Sequence, residues 1–231
     1  TYVETQTKIF PDGESKITCG RIPKKSIIVV VQSTYPPVDT NLLQALSIIS
    51  QAKKASSKIY AIIPYMGYAR QDRQFLSGEV VTMSIVAKML QVAGAKKAFV
   101  VDIHSKAALN HFKIPAENIS AIPELAKYFK KMKLKNPLVV SPDIGGSSRA
   151  KKFGGLLNTD FVALKKSRNR KTGKVQIKSS KVDVYGRDLL LVDDIISTGS
   201  SIIKATQFLK KQKCKRVFVA CTHGLFVGDA E

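Results

Sequence analysis

Leu189-Leu-Leu-Val-Asp-Asp-Ile-Ile-Ser-Thr-Gly-Ser-Ser201 is the stretch that decides the fold. Four apolar residues run into an adjacent acid pair, and a short Ser/Thr/Gly loop then opens onto a helical run over 202–212. A buried strand of this kind brings two carboxylates and a ring of backbone N–H groups to one place. Carboxylates accept hydrogen bonds from sugar hydroxyls, whereas the free N–H groups of a helix N-terminus suit a phosphate. The pattern therefore points to a phosphorylated sugar. A capped strand–helix turn, with Asp194 and Ser197 as local hydrogen-bonders, is the structural alternative.

Outward from this stretch, short β-branched runs alternate with helical segments. Strands are predicted over 27–32, 58–63, 98–102, 138–141, 161–164, 189–193 and 216–221. Between them lie segments with apolar spacing near 3.6, such as 82–93, where Met83, Val86, Met89, Leu90 and Ala93 share a face. This rhythm predicts an α/β fold with mainly parallel sheets flanked by helices on both faces. Residues 167–184 break it, and their Gly, Lys, Arg and alternating Val/Ile predict a flexible β-hairpin. Val101-Asp102-Ile103-His104 ends a strand in the first half much as Val192-Asp193-Asp194-Ile195 does in the second. Ligands collect outside the carboxyl ends of strands in such sheets, so the repeated junction predicts two related domains, 1–118 and 119–231.

Composition narrows the class. The 231 residues are 44% hydrophobic and 24% charged, which fits an ordinary globular chain with a sizeable core. No apolar run approaches the ~20 residues that cross a bilayer, and no signal-peptide pattern opens the chain, so a cytoplasmic protein without membrane contact is expected. Cys19, Cys214 and Cys221 have no metal-ligand spacing and read as reduced thiols. The net charge of +21 comes mostly from scattered pairs such as Lys53-Lys54 and Lys210-Lys211. It reads first as a solvated exterior and next as steering of anionic metabolites; nucleic acid ranks last, because basic and aromatic residues do not interleave.

Further motifs occur in one order: Phe10-Pro-Asp-Gly-Glu14, Pro64-Tyr-Met-Gly-Tyr-Ala-Arg-Gln-Asp-Arg73, Asp102-Ile-His104, Ser141-Pro-Asp-Ile-Gly-Gly146 and the acid-pair loop. The loop alone resembles the phosphoribosyl-diphosphate loop of type I phosphoribosyltransferases. Together the motifs, over about residues 3–228, resemble ribose-phosphate pyrophosphokinase, also called phosphoribosyl diphosphate synthetase. The short spacing and Lys-rich character look closer to an archaeal type. The resemblance implies two tandem type I phosphoribosyltransferase-like domains. It also implies transfer of the β,γ-diphosphoryl group of Mg-ATP to the anomeric oxygen of ribose 5-phosphate.

By the same resemblance Asp193 and Asp194 hold the ribose hydroxyls, while Ser197, Thr198, Gly199, Ser200 and Ser201 take the 5-phosphate. Many family members carry another acid where Ser197 stands. His104 and Asp143 match Mg²⁺ positions, and Asp102 orients His104 or caps the next turn. Arg70 and Gln71 match an ATP-contacting pair. Phe10, Asp12 and Glu14 match a loop that reaches a neighbouring subunit and embraces adenine, which implies a homo-oligomer of at least two chains. Without the resemblance, Pro11-Asp12-Gly13 is an ordinary turn. Lys165-Lys166-Ser167-Arg168 resembles a catalytic Lys-x-Arg on a mobile loop, with Lys166 and Arg168 as electrostatic stabilisers and Lys165 one place away. His111 and His223 read as structural.

Two alternatives stand beside this reading: a phosphoribosyltransferase, and a catalytically silent regulatory subunit of a synthetase. No glycine-rich Lys-Ser/Thr loop of the P-loop kinases is present. The family pattern further implies a strand and helix before the adenine loop and a closing segment after Thr222-His223-Gly224. The chain is therefore expected to be trimmed at both ends, with an exposed apolar sheet edge or helix seat near 27–31.

Overall fold

A computed structural model describes residues 1–168, 175–178, 183–228 and 230. The chain divides into two units, Thr1–Ile119 and Ser120–Glu231.

The first unit opens with an antiparallel hairpin, β1 (Thr5–Ile9) and β2 (Ser15–Cys19). There follow β3 (Ile27–Val31), α1 (Val38–Lys53), β4 (Lys58–Ile63), α2 (Thr82–Ala93), β5 (Lys97–Val101) and β6 (Ala116–Ile119). Strands β3 to β6 form one parallel sheet in the order β3-β4-β5-β6. Successive side chains of a strand point to opposite faces, and here the alternation sorts core from surface. Ile59, Ala61, Ile63, Ala98 and Val100 are buried against Leu42, Leu46 and Ile49 of α1 and Met83, Val86 and Leu90 of α2. Both helices thus cover the same face, and Met89 lies at the rim of that packing rather than inside it. On the other face Tyr60 meets Phe99 edge-on at 6.5 Å, and Val29 and Val31 are exposed. Strand β3 is the sheet edge, with Ile27, Val29 and Val31 at 60%, 49% and 62% exposure, so the apolar edge expected over 27–31 is present.

The second unit contains α3 (Ile122–Lys130), β7 (Leu138–Ser141), α4 (Ser147–Leu157), β8 (Phe161–Ala163), β9 (Lys165–Arg168), β10 (Val175–Lys178), β11 (Asp188–Ile196), α5 (Ser200–Lys211) and β12 (Arg216–Gly224). Its parallel sheet has the order β12-β11-β7-β8, and β9 pairs with β10 antiparallel. Helices cover both faces here. Leu138, Val140, Leu189 and Leu191 pack against Ile202, Ala205 and Leu209 of α5. Val139, Leu190 and Val192 pack against Ile122, Ala126 and Phe129 of α3 and Ala150 and Phe153 of α4. Because both its faces are buried, β11 reads as a continuous apolar run rather than an alternating one.

A clamp anchors the start of β11. Asp188, with 0% side-chain exposure, accepts hydrogen bonds from Arg216 Nε at 2.9 Å, Arg216 Nη2 at 2.6 Å and the Lys135 backbone N–H at 2.7 Å. The Arg216 guanidinium holds the Asp188 carboxyl below its ordinary range. Stability from this group is therefore fully present above the unfolded aspartate pKa of about 4 and is lost as pH falls through the lowered folded value. Asp188→Ala should cost about 2 kcal/mol near neutrality, the scale of hydrogen bonds to a charged group. Urea midpoints at pH 7 would show it, and a midpoint equal to that of the native chain would remove the clamp from the account.

Candidate functional site

The carboxyl end of β11 is where the second sheet opens. Strand β7 accompanies β11 only as far as the pair Leu191↔Val140, whereas β12 stays alongside to Ile196↔Gly224. The expected strand end at residue 193 is therefore a correction to make: the strand continues three residues past Asp193 because β12 still supplies ladder partners. What ends at this level is the other neighbour. After Ser141, β7 turns into the loop that carries Asp143, and the flank of β11 beside the acid pair is left without a strand.

That loop is tightly built. Ser141 Oγ donates to the Asp143 carbonyl at 2.7 Å, and Asp143 Oδ1 accepts the Gly146 N–H at 3.2 Å, capping the short 3-10 turn Ile144–Gly146. A Cβ on Gly146 would lie 2.3 Å from Ser141 Oγ and 3.2 Å from Arg149 Nη1, so only glycine lets the chain pass here. Helix α4 starts at once, and Arg149 sits in its first turn. From there Arg149 Nη1 is 3.3 Å from Asp193 Oδ1 and Nη2 is 3.3 Å from Asp194 Oδ1.

Adjacent residues of a strand ordinarily face opposite ways. The guanidinium fork spans both carboxylates across the flank that β7 leaves open. Asp193 Oδ1 also accepts the Asp194 N–H at 2.9 Å. Burial, and then the neighbouring Asp194, push the Asp193 carboxyl up to about 7, with Arg149 pulling the other way. Two carboxylates this close tend to share one proton.

Beyond the acid pair the chain turns through Ser197 and Thr198 to Gly199, whose φ of +71° is in the left-handed region. Gly199 caps α5, and its carbonyl accepts the Ile203 N–H at 2.9 Å. The helix was expected from residue 202; it begins at Ser200, because the glycine sets the preceding turn. Ser200 and Ser201 thus occupy the first turn, where backbone N–H groups have no intrahelical acceptor. Thr198 Oγ1 and Ser200 Oγ lie 3.1 Å apart on the same rim. One short segment brings together Asp193, Asp194, Ser197, Thr198, Gly199, Ser200 and Ser201.

In the first unit, Arg70 and Gln71 lie on the loop that follows β4. Three fastenings hold it. Thr34 Oγ1 donates to the Tyr65 carbonyl at 2.7 Å and accepts the Gly67 N–H at 2.6 Å. Tyr68 OH bonds to the Asp39 carboxylate. His111 Nε2 meets the Asp72 carbonyl at 2.6 Å, which fixes the ring nitrogen there as the donor. Gln71 Oε1 accepts from Thr82 Oγ1 at 2.6 Å, tying its amide to the head of α2, and Arg70 is exposed. His104 is exposed just past the end of β5; the next turn is capped by Ser105, whose hydroxyl accepts the Ala107 N–H at 3.2 Å. Phe10, Asp12 and Glu14 form the tip of the β1–β2 hairpin. Asp12 Oδ1 accepts the Glu14 N–H at 3.1 Å there, and Lys8 Nζ stands 5.4 Å over the Phe10 ring.

Lys166 and Arg168 lie on β9, whose register pairs Ile177↔Lys166 and Val175↔Arg168; their side chains are outside the described residues. Most of the expected flexible hairpin falls outside the described residues as well. Among the described residues no three His, Cys, Asp or Glu side chains gather as a metal cage, and no helix is long and apolar enough to cross a membrane.

Arg149 was missed from the sequence, and His111, read there as structural, was missed as the fastening of the Arg70–Gln71 loop. Arg149 had a signal: a cation in the first turn of a helix opposes the helix dipole and calls for a nearby acid. His111 had none, since its partner is a backbone carbonyl 39 positions away.

Residues 1–94 match the N-terminal domain of ribose phosphate pyrophosphokinase, and residues 112–225 match the phosphoribosyl transferase domain. The ribose-phosphate pyrophosphokinase of Pasteurella multocida is 38% identical over 224 residues, which is 96% of this chain and 71% of that one. The enzyme of the same name from Sulfurisphaera tokodaii is 36% identical over 230 residues, covering 99% of this chain and 79% of its own length. A crystal structure of phosphoribosylpyrophosphate synthetase from Mycobacterium smegmatis superposes with a TM-score of 0.87 at 28% identity. The superposition covers 100% of this chain and 76% of that one.

Proposed function

Because this chain belongs to the ribose-phosphate pyrophosphokinase family, we propose that it is a diphosphotransferase. It moves the β,γ-diphosphoryl group of ATP to the anomeric oxygen of ribose 5-phosphate. The anomeric oxygen bonds to the β-phosphorus while the bond from that phosphorus to the α,β-bridging oxygen breaks. AMP leaves, and the proton of the anomeric hydroxyl passes to solvent.

The observation that carries the reading is the consecutive placement of the acid pair and the α5 N-terminal turn at the end of β11. Carboxylates for a diol and N–H groups for a phosphate stand there in the order that ribose 5-phosphate requires. In this reading Asp193 and Asp194 receive the ribose hydroxyls, and Ser197, Thr198, Gly199, Ser200 and Ser201 receive the 5-phosphate. A phosphoribosyltransferase shares this segment, but it has no use for a first unit of the pyrophosphokinase type.

For ATP, Arg70 meets phosphate and Gln71 lies near the base, both on the loop that Thr34, Asp39 and His111 hold. Phe10, Asp12 and Glu14 take adenine from the tip of an exposed hairpin, which favours delivery to a neighbouring subunit and hence a homo-oligomer. Lys166 and Arg168 meet the transferring group, where fixed cations lower the cost of charge moving between oxygens.

His104 and Asp143 suit Mg²⁺. The Asp143 carboxylate supplies the hard oxygen that the ion prefers, and Mg²⁺ keeps several waters and substrate phosphates, so it needs no closed cage of side chains. The ion supplies neutralisation of the diphosphate charge. The three cysteines, all unpaired, fit a reducing cytoplasmic setting.

Nucleotide products decide the matter. With the purified chain, AMP should form from ATP only when ribose 5-phosphate and Mg²⁺ are both present. Release of ADP, or consumption of phosphoribosyl diphosphate that depends on a nucleobase, would overturn the assignment.

A further inference from the structure

We propose that Arg149 is the positioning residue for the sugar: its guanidinium, 3.3 Å from Asp193 Oδ1 and 3.3 Å from Asp194 Oδ1, holds both carboxylates as acceptors for a vicinal diol. The inference rests on the proposed function and adds to it the group that makes the acid pair able to bind.

Two buried neighbouring carboxylates are costly unless a cation meets them. Asp194 has 5% side-chain exposure, Asp193 has 18% and Arg149 has 17%, so the three charges meet largely out of water. A flat guanidinium reaches two carboxylates at once, which an ammonium group cannot do with the same geometry. The site is also shaped for it. Arg149 occupies a helix position that disfavours cations, and Gly146 leaves the space beside Nη1 that any Cβ would enter.

The chemistry turns on protonation. An ionised carboxylate only accepts hydrogen bonds, whereas a protonated one donates. A diol brings two donors, so it needs both acids ionised. Other groups stand beside the pair. Cys221 lies opposite Asp193 on β12 and its thiol is pushed up by burial and then by Asp193; Asp143 is on the adjoining loop, and His223 is two places further along β12. Arg149 stands within ion-pair distance of both acids.

Arg149→Gln should raise KM for ribose 5-phosphate on the order of 30-fold at pH 7, the scale of charged hydrogen bonds. KM for ATP should stay within about twofold. The sugar defect should shrink toward about pH 9, where the pair ionises without help, and Arg149→Lys should fall between the two. With 2-deoxyribose 5-phosphate, which lacks one of the two donors, variant and native chain should differ less. Equal rises in both KM values, or a sugar defect that does not change with pH, would reduce Arg149 to a structural strut.

If Arg149→Gln fails to fold, Arg149→Lys titrated calorimetrically with ribose 5-phosphate alone gives the same answer: weakened binding that improves with pH, or no change, which overturns the proposal. The two ideas fail separately. A native chain that releases no sugar-dependent AMP sinks the function; an active native chain beside an unaffected Arg149→Gln sinks only the role of Arg149.

Discussion

Lys166→Ala is expected to lower kcat by about three orders of magnitude while KM for ATP changes by no more than about threefold. A positive charge that meets the diphosphoryl group only as it leaves one oxygen for another acts on the barrier and not on ground-state binding. The spacing favours this lysine over its neighbour. Lys166 and Arg168 complete the Lys-x-Arg pattern, whereas Lys165 stands one place outside it. Lys165→Ala should accordingly keep most of the native turnover. Steady-state kinetics on both variants separates the roles. If Lys166→Ala weakens ATP binding and leaves kcat intact, the lysine binds substrate and does not stabilise the transition state.

The second large effect lies at Asp193, where activity and stability should move in opposite directions. Asp193→Asn replaces an acceptor for the sugar with a mixed donor and acceptor, and sugar-dependent turnover should drop by about a hundredfold or more, on the scale of a lost charged hydrogen bond in the transition state. Stability should rise at alkaline pH. The folded carboxyl keeps its proton up to about 7, while in the unfolded chain an aspartate releases it near ~4. Folding therefore takes up a proton between these values. The stabilising contribution of this group is full below the unfolded pKa and is lost as pH rises through the folded one.

Asparagine carries no such titration. The advantage of the variant should thus widen from about pH 5 to about pH 8 by something of order 1–3 kcal/mol. Thermal or urea unfolding at the two values measures it. A stability difference that is the same at both would mean that the acid pair holds no proton of its own.

The strands of the two parallel sheets, β6 apart, could be read in the chain because each is a short run of β-branched and aliphatic residues bounded by polar turns, as in Ile27–Val31 and Leu138–Ser141. Thr5–Ile9, Ser15–Cys19 and Ala116–Ile119 gave no comparable pattern. They are polar segments, exposed along much of their length, and hydrogen-bond pairing rather than apolar burial places them in strands. The acid pair and its phosphate turn were legible because both are contiguous in the chain.

Their surroundings were not. Arg149 reaches Asp193 across 44 positions, and His111 secures the Arg70–Gln71 loop through a carbonyl rather than a side chain. The continuation of β11 past its acids depends on how long β12 runs beside it, which no local pattern encodes.

The turn at Gly199 has a consequence for how this protein tolerates change. In the proposed reading the turn offers peptide N–H donors as well as hydroxyls, so exchanging the hydroxyl at Ser200 or Ser201 should weaken recognition without abolishing it. The glycine is different. A methyl group there would find room, since the nearest atom, Ile203 Cδ1, is 3.6 Å away; what it meets is the torsional penalty of a left-handed residue, about 1 kcal/mol or more. A randomised library over this turn should therefore retain a wide spread of polar side chains among its active members, with glycine enriched at its apex and asparagine next.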